Sequence, residues 1–276
     1  MNIEVMSMLS RFLCIFLVSS QFCGSSKAKK DIFILAGQSN MAGRGNVKEG
    51  KFDSNVPPEC KPNPSILRLT ANLRWEEARE PLHADIDVSK TCGIGPGLAF
   101  ANEVVRIKGG RGCGYGNVVG LVPCAVGGTK IEQWSKGSHL YNELVKRAMN
   151  SVNGDGSIRA LLWYQGESDT VREEDAVAYK HKMESFIMDI RSDLHLPSLL
   201  IIQVALASGE GKFIEKVRHA QLGITLPNVK CVDAKGLRLK DDKLHLTTMS
   251  EVHLGIRLAH AYLNFTPHHF NHTIVI

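Results

Sequence analysis

The chain has 276 residues, of which 43% are hydrophobic and 22% charged, and its formal net charge is +5. This length and apolar content suit one large domain, or at most two, with a sizeable buried core. Charges of both signs are interspersed, without the basic and aromatic pattern of a nucleic-acid surface, so nucleic acid is not expected as a partner.

The first 26 residues are predicted to be a secretory signal peptide. Arg11 precedes an apolar run at 12–18 that is too short to span a bilayer, and small residues follow at 24–26. A disordered or interfacial apolar extension is the alternative. We expect a secreted protein that has no membrane partner after signal removal. Its domain would occupy 27–263, followed by a tail at 264–276.

The cysteines and sequons bear on the same expectation. Signal cleavage would remove Cys14 and Cys23 from the seven cysteines and leave five. Some of these would pair in a secreted chain, although spacing alone does not tell which. No C-x-x-C spacing indicates a zinc site. Glycosylation sequons at Asn264 and Asn271 add modest support for secretion.

Five short apolar runs are predicted to be strands of a parallel sheet. Each is continuous rather than alternating, which is typical of strands buried on both faces. The runs are 31–37, 117–126, 159–165, 199–206 and 229–234. Helical spacing of apolar residues predicts helices at 98–107, 138–149, 173–190, 212–222 and 247–263.

This alternation of strands and helices predicts an α/β sandwich with a mostly parallel sheet. The exception is an insertion at 44–95, rich in proline, asparagine and charge, with a possible short strand at 66–69. The insertion directly follows the turn after the first strand, where it could wall a site.

Ligands bind beyond the carboxyl ends of strands in an open parallel sheet, so the residues after each strand are the candidates for function. They are Ser39 after the first run, Gly127 and Gly128 after the second, Gln165 after the third, and Asp242 and His245 after the fifth.

These residue types suit ester hydrolysis. A serine hydroxyl such as that of Ser39 becomes nucleophilic when a histidine takes its proton and a carboxylate orients that histidine. Asp242 and His245 are three residues apart, so their side chains can share one face of a turn. Asp241 is the alternative carboxylate.

The negative charge that develops on the ester oxygen requires hydrogen-bond donors, and three are available. They are the backbone N–H of Ser39, an N–H of the turn at Gly127 or Gly128, and the side-chain amide of Gln165. Glycine suits this role because, without a Cβ, its backbone can approach a ligand closely.

Together these motifs resemble the SGNH (GDSL-like) hydrolase superfamily, and within it the carbohydrate esterases of the sialate O-acetylesterase and acetyl-xylan esterase type. The resemblance is carried by GQSNMAG at 37–43, GGT at 127–129, WYQGESD at 163–169 and the late D-x-x-H at 242–245. It implies a three-layer αβα sandwich of the flavodoxin-like type, with a mostly parallel five-stranded sheet, and ester hydrolysis without a metal or cofactor. Ser39, Asp242 and His245 would form the triad, with Ser39, Gly128 and Gln165 as the oxyanion donors. The G-x-S-x-G elbow of α/β-hydrolases is absent at Ser39.

The expected function is therefore removal of acetyl or other short acyl groups from carbohydrate. Two alternatives stay open: a lipid or thioester hydrolase with the same triad, and a carbohydrate-binding protein without turnover. Trp134 is a candidate for stacking on a sugar, whereas Trp163, inside an apolar run, is expected in the core. The sugar, the acylated position and the oligomeric state are not indicated by the sequence.

Overall fold

The computed structural model describes residues 29–109 and 118–265. The predicted signal peptide and the sequon at Asn271 lie outside these residues. The four described cysteines are free thiols, so the pairing expected of a secreted chain is not found in this part of the molecule; they are Cys60, Cys92, Cys124 and Cys231.

Strands and helices alternate in the predicted order, and the predicted bounds agree to within a few residues. The strands are β1 (Lys30–Gly37), β2 (Val47–Lys48), β3 (Lys51–Phe52), β4 (Ile66–Leu69), β5 (Trp75–Glu77), β6 (Val118–Pro123), β7 (Gly156–Tyr164), β8 (Leu200–Ala205) and β9 (Val229–Asp233). The α-helices are α1 (Ser39–Ala42), α2 (Pro96–Gly109), α3 (His139–Ser151), α4 (Glu173–Asp193), α5 (Ile214–Leu222) and α6 (Thr248–Leu263).

The central sheet is wider than the predicted five strands. Its order is β5-β4-β6-β1-β7-β8-β9, which makes seven strands. The five predicted strands form its parallel centre, and the insertion adds β4 parallel to β6 and β5 antiparallel to β4. The insertion thus covers the backbone of β6, which would otherwise be an exposed sheet edge.

Burial follows position in the sheet. Strands β1, β6 and β8 are buried along almost their whole length, as continuous apolar runs predict. Strand β9 is different, because it is an edge strand in which Lys230, Cys231 and Asp233 are exposed. The expectation that every run would be buried on both faces is therefore wrong for β9.

The strand order places a crevice at the carboxyl ends of the central strands. The chain passes from β1 to β6 on one side and then returns to β7 on the other side of β1. Right-handed crossovers therefore place α2, with its packing partner α6, on one face, and α3, α4 and α5 on the other. Connections diverge at the carboxyl ends of β1 and β7, where ligands bind in folds with this strand order.

The first strand ends at a glycine because β1 and β7 approach closely there. Gly37 pairs with Tyr164 and has φ +130°. A Cβ built on Gly37 would lie 2.0 Å from the Tyr164 carbonyl oxygen. The next residues, Gln38 and Ser39, therefore enter the crevice from a turn that only glycine can make.

Candidate active site

Three predicted residues meet in this crevice. Ser39, the first residue of α1, lies with its Oγ 3.1 Å from Nε2 of His245. The other ring nitrogen of His245, Nδ1, lies 2.8 Å from Oδ2 of Asp242. Asp242 and His245 belong to the loop between β9 and α6, so tertiary folding brings the base to the serine across 206 positions of sequence.

The carboxylate is held by its own turn. Oδ1 of Asp242 accepts hydrogen bonds from the backbone N–H groups of Leu244, at 3.0 Å, and His245, at 2.9 Å. Partial burial would raise the pKa of Asp242, but these bonds and the bond from the His245 ring outweigh it and lower the pKa to about 2. The structure thus places Asp242, rather than Asp241, against the histidine.

The ionised carboxylate fixes the histidine tautomer. A carboxylate only accepts hydrogen bonds, so Nδ1 of His245 must carry the ring hydrogen and donate it to Asp242. The lone pair of Nε2 then faces the Ser39 hydroxyl, which donates to it. This arrangement can remove the proton of Ser39 when the hydroxyl attacks a carbonyl carbon.

Two backbone donors are available to a developing oxyanion. Neither the Ser39 N–H nor the Gly128 N–H has an acceptor among the residues that the structure describes. The Gly127 N–H is already occupied, because it donates to Oδ2 of Asp87 at 3.1 Å. Of the two glycines, the geometry therefore favours Gly128, whose φ of +73° is a left-handed conformation that glycine adopts readily.

The predicted oxyanion role of Gln165 is not supported. Its Nε2 donates to the Thr129 carbonyl at 2.7 Å and to Oδ2 of Asp169 at 2.6 Å, and an amide NH₂ has only two hydrogens. The side chain is fully buried. Gln165 instead joins the end of β7 to Thr129, the residue that follows the Gly127–Gly128 turn.

The predicted sugar-stacking role of Trp134 is wrong. Its side chain is 1% exposed, its Nε1 donates to Oγ1 of Thr129, and its ring packs edge-on against Trp163 with centroids 5.3 Å apart. No face of the ring is open to a sugar. Trp163 is fully buried, as predicted.

Some residues that shape the site were not recognised in the sequence. Asp87 holds the Gly127 N–H and also forms a buried ion pair with Arg44, whose Nη2 lies 2.5 Å from Oδ2 of Asp87. Both belong to the insertion, and no local pattern marks either of them. Asn40 and Glu167 form a second buried pair beside His245, at 2.7 Å. Asn40 could have been noticed only through its position next to Ser39.

Within 29–109 and 118–265, no group of three or more His, Cys, Asp or Glu residues is arranged to hold a metal ion. No helix of that part of the chain is long and apolar enough to cross a membrane.

A comparison with family models identifies the family of this chain. A family model described as carbohydrate esterase, sialic acid-specific acetylesterase, matches residues 29–264. The chain belongs to this family. It is therefore a carbohydrate esterase, a hydrolase acting on ester bonds. The probable carbohydrate esterase At4g34215 of Arabidopsis thaliana is 58% identical to it over 240 residues, which cover 84% of this chain and 90% of the relative.

Solved structures show the same fold. The crystal structure of the Arabidopsis thaliana protein AT4G34215 matches with a TM-score of 0.82 and 57% identity, covering 86% of this chain and all of that one. NanS matches with a TM-score of 0.65 at 15% identity, over 85% and 97% of the two chains. XAC1771, a carbohydrate acetylesterase from Xanthomonas citri, matches with a TM-score of 0.58 at 19% identity, over 83% and 55%. At these lower identities the likeness concerns the fold alone.

Beneath the crevice, this carbohydrate esterase buries a carboxyl group with no hydrogen-bond partner in the described structure. Glu251 of α6 is fully buried, and neither of its carboxyl oxygens has a partner there. Burial, followed by the nearby carboxyl groups of Glu80 and Glu167, raises the pKa of Glu251 well above its usual value. The folded protein therefore favours the protonated form.

We expect Glu251→Gln to make stability less dependent on pH. In an unfolded chain Glu251 ionises above about pH 4.3, whereas the folded chain keeps its proton, so wild-type stability falls as pH rises above that value. The variant avoids this loss and should unfold at a higher temperature than wild type at pH 8. Thermal unfolding of both proteins at pH 5 and pH 8 measures the effect. The prediction would be contradicted if the unfolding temperatures of the two proteins changed by the same amount between pH 5 and pH 8.

Proposed function

We propose that this carbohydrate esterase removes acetyl groups from O-acetylated carbohydrate through an acyl-enzyme formed on Ser39. The observation that carries the proposal is the chain of contacts from Ser39 Oγ to His245 Nε2, at 3.1 Å, and from His245 Nδ1 to Asp242, at 2.8 Å. It lies in the crevice where folds of this strand order bind ligands. The family supplies the class of substrate.

In the first half-reaction, Oγ of Ser39 attacks the acetyl carbonyl carbon while Nε2 of His245 takes the hydroxyl proton. Asp242 stabilises the imidazolium that forms. The oxyanion of the tetrahedral intermediate accepts hydrogen bonds from the N–H groups of Ser39 and Gly128. The intermediate collapses when the bond to the sugar oxygen breaks, and His245 gives its proton to that oxygen.

In the second half-reaction, water attacks the acetyl group on Ser39 and gives a proton to His245. Collapse of the second intermediate breaks the bond between the acetyl carbon and Oγ of Ser39. His245 returns its proton to Oγ, and acetate leaves. The balance is one ester and one water consumed for one alcohol and one carboxylic acid, so no other reactant is required.

The intermediate can be trapped. Purified protein is mixed with a chromogenic acetate ester, quenched in acid within the first turnover, digested and analysed by mass spectrometry. We expect one acetyl group on the peptide that contains Ser39, and a burst of chromophore if deacylation is slower than acylation. Turnover without an acetylated Ser39 peptide under any quench time would contradict the acyl-enzyme.

Two comparisons separate the alternatives. A series of esters with acyl chains from acetyl to decanoyl should show the highest kcat/KM for acetyl, whereas a lipid hydrolase would prefer long chains. A panel of O-acetylated neutral sugars and O-acetylated sialic acids then tests the carbohydrate. A protein that binds these sugars without releasing acetate would be a binding protein and would overturn the proposal.

A further inference from the structure

We infer that Asn40 is a positioning residue, whose amide fixes His245 against Ser39 by holding both peptide groups that flank the histidine. This inference rests on the proposed function, because it concerns the same reaction of Ser39 and His245. The Asn40 side chain makes no hydrogen bond to the Ser39 hydroxyl or to the histidine ring in the described structure; its partners are Glu167, Leu244 and Leu246.

The contacts on either side of His245 come from one side chain. Oδ1 of Asn40 accepts the Leu246 N–H at 2.9 Å, and Nδ2 donates to the Leu244 carbonyl at 3.4 Å. These two groups belong to the peptide units just before and just after His245. Asn40 follows Ser39 directly in the chain. Its two hydrogen bonds therefore connect the loop that carries the base to the residue next to the nucleophile.

Glu167 determines which way the Asn40 amide points. Nδ2 of Asn40 donates to Oε1 of Glu167 at 2.7 Å, and both side chains are fully buried. The Glu167 carboxyl group and the Leu244 carbonyl both accept hydrogen bonds, so the NH₂ of Asn40 must face them. Its Oδ1 then remains to accept the Leu246 N–H. No change of residue type at position 40 satisfies all three neighbours, and a buried polar group left unpaired destabilises the arrangement that contains it.

Asn40 would affect catalysis through the distance between Ser39 and His245. Proton transfer requires the Ser39 Oγ to stay within hydrogen-bond reach of His245 Nε2, now 3.1 Å away. The loop that carries His245 is also held by Ser208, whose Oγ donates to the Leu244 carbonyl at 2.5 Å, but Ser208 secures only one of the two peptide groups. Without Asn40, the Leu246 N–H loses its acceptor, although the Lys240 N–H still donates to the His245 carbonyl at 2.7 Å and the Thr247 N–H to the Arg238 carbonyl at 3.0 Å. We expect the loss to shift the histidine within these remaining contacts.

The first test is Asn40→Asp, which keeps the shape and the Oδ1 acceptor but removes the donor. It also sets a carboxyl group against Glu167 and the Leu244 carbonyl. We expect kcat for acetate esters to fall about 100-fold, as for a misplacement of about 1 Å, with KM within about two-fold of wild type. The rate at which a fluorophosphonate labels Ser39 should fall in parallel, because it reports the activation of the serine without carbohydrate binding. Asn153→Asp, an exposed substitution in the turn after α3, is the matched control.

The second test is the double variant Asn40→Asp/Glu167→Gln, which exchanges the amide and the carboxyl group between the two positions. The exchanged pair restores a donor opposite an acceptor, so we expect kcat to recover about ten-fold relative to Asn40→Asp alone. Thermal unfolding of all variants separates this recovery from a change in stability. A merely structural role of Asn40 predicts that the double variant is no more active than the single variants.

Two results would overturn the inference: a kcat for Asn40→Asp equal to that of Asn153→Asp, or a loss that the double variant does not recover and that follows the unfolding temperature. Failure of the proposed function gives a different result, namely fluorophosphonate labelling that does not require Ser39. If labelling requires Ser39 while Asn40→Asp is fully active, only the role of Asn40 is wrong.

Discussion

Replacing Ser39 with alanine is expected to lower kcat for a chromogenic acetate ester by about 10⁶-fold, the loss typical when a triad nucleophile is removed. The substitution removes the atom that forms the acyl-enzyme, while the Gly128 N–H and the other site groups stay in place. KM should change little. Initial rates on the two proteins at equal concentration, with the uncatalysed rate subtracted, give the ratio.

Ser157→Ala provides the matched control, because Ser157 is exposed near the start of β7, at the end of the strand away from the candidate site. It should keep wild-type rates. Adding His245→Ala to Ser39→Ala should cause almost no further loss, since residues of a triad act as a unit. Equal rates for wild type and Ser39→Ala would remove Ser39 from the reaction and with it the proposed mechanism.

Asp242→Asn is expected to lower kcat by about 10³-fold. The new amide can place an NH₂ opposite Nδ1 of His245, which favours the tautomer with hydrogen on Nε2, the atom that must accept the serine proton. Loss of a fully buried triad acid costs about 10⁴-fold. The effect should be smaller here because the Asp242 side chain is 44% exposed, so water can partly replace it. A pH–rate profile of kcat measures it.

The neighbouring substitution Asp241→Asn removes the same charge from the loop without touching the histidine, and it should have little effect. If the two variants lost activity equally, the effect would come from the charge of the loop and not from the contact with His245.

The carboxylate of Asp242 also contributes to the free energy of unfolding. Because its pKa of about 2 is below that of an unfolded aspartate, this contribution is present above about pH 4 and is lost as the pH falls toward 2.

The sequence predicts the parallel centre of the sheet because strands such as β1 and β8 are buried on both faces and must be apolar throughout. It predicts β9 as a strand but not its exposure, because an edge position depends on what pairs beside it. The two added strands, β4 and β5, are three or four residues long, and a short run has little periodicity to detect. Of these two strands, the sequence indicates only β4.

For the site, the meeting of Ser39, Asp242 and His245 could be predicted from chemistry and the strand-end rule, since each role requires a particular side chain. The errors concern residues whose role depends on their neighbours. The amide of Gln165 is a donor in any environment, but only the folded chain shows that Thr129 and Asp169 already occupy it. Likewise, nothing local distinguishes Asp87 from any other aspartate of the insertion.

The separation of 206 residues between Ser39 and His245 has a consequence for the timing of activity during synthesis. His245 and Asp242 form their contact within one turn, so this contact requires only residues that are close in sequence. In the proposed mechanism, the nucleophile Ser39 is translated much earlier and has no base until the loop after β9 has emerged from the ribosome and docked on the end of β1. With that mechanism a nascent chain carries an inert serine, and we expect hydrolysis to begin only when nearly the whole domain has assembled.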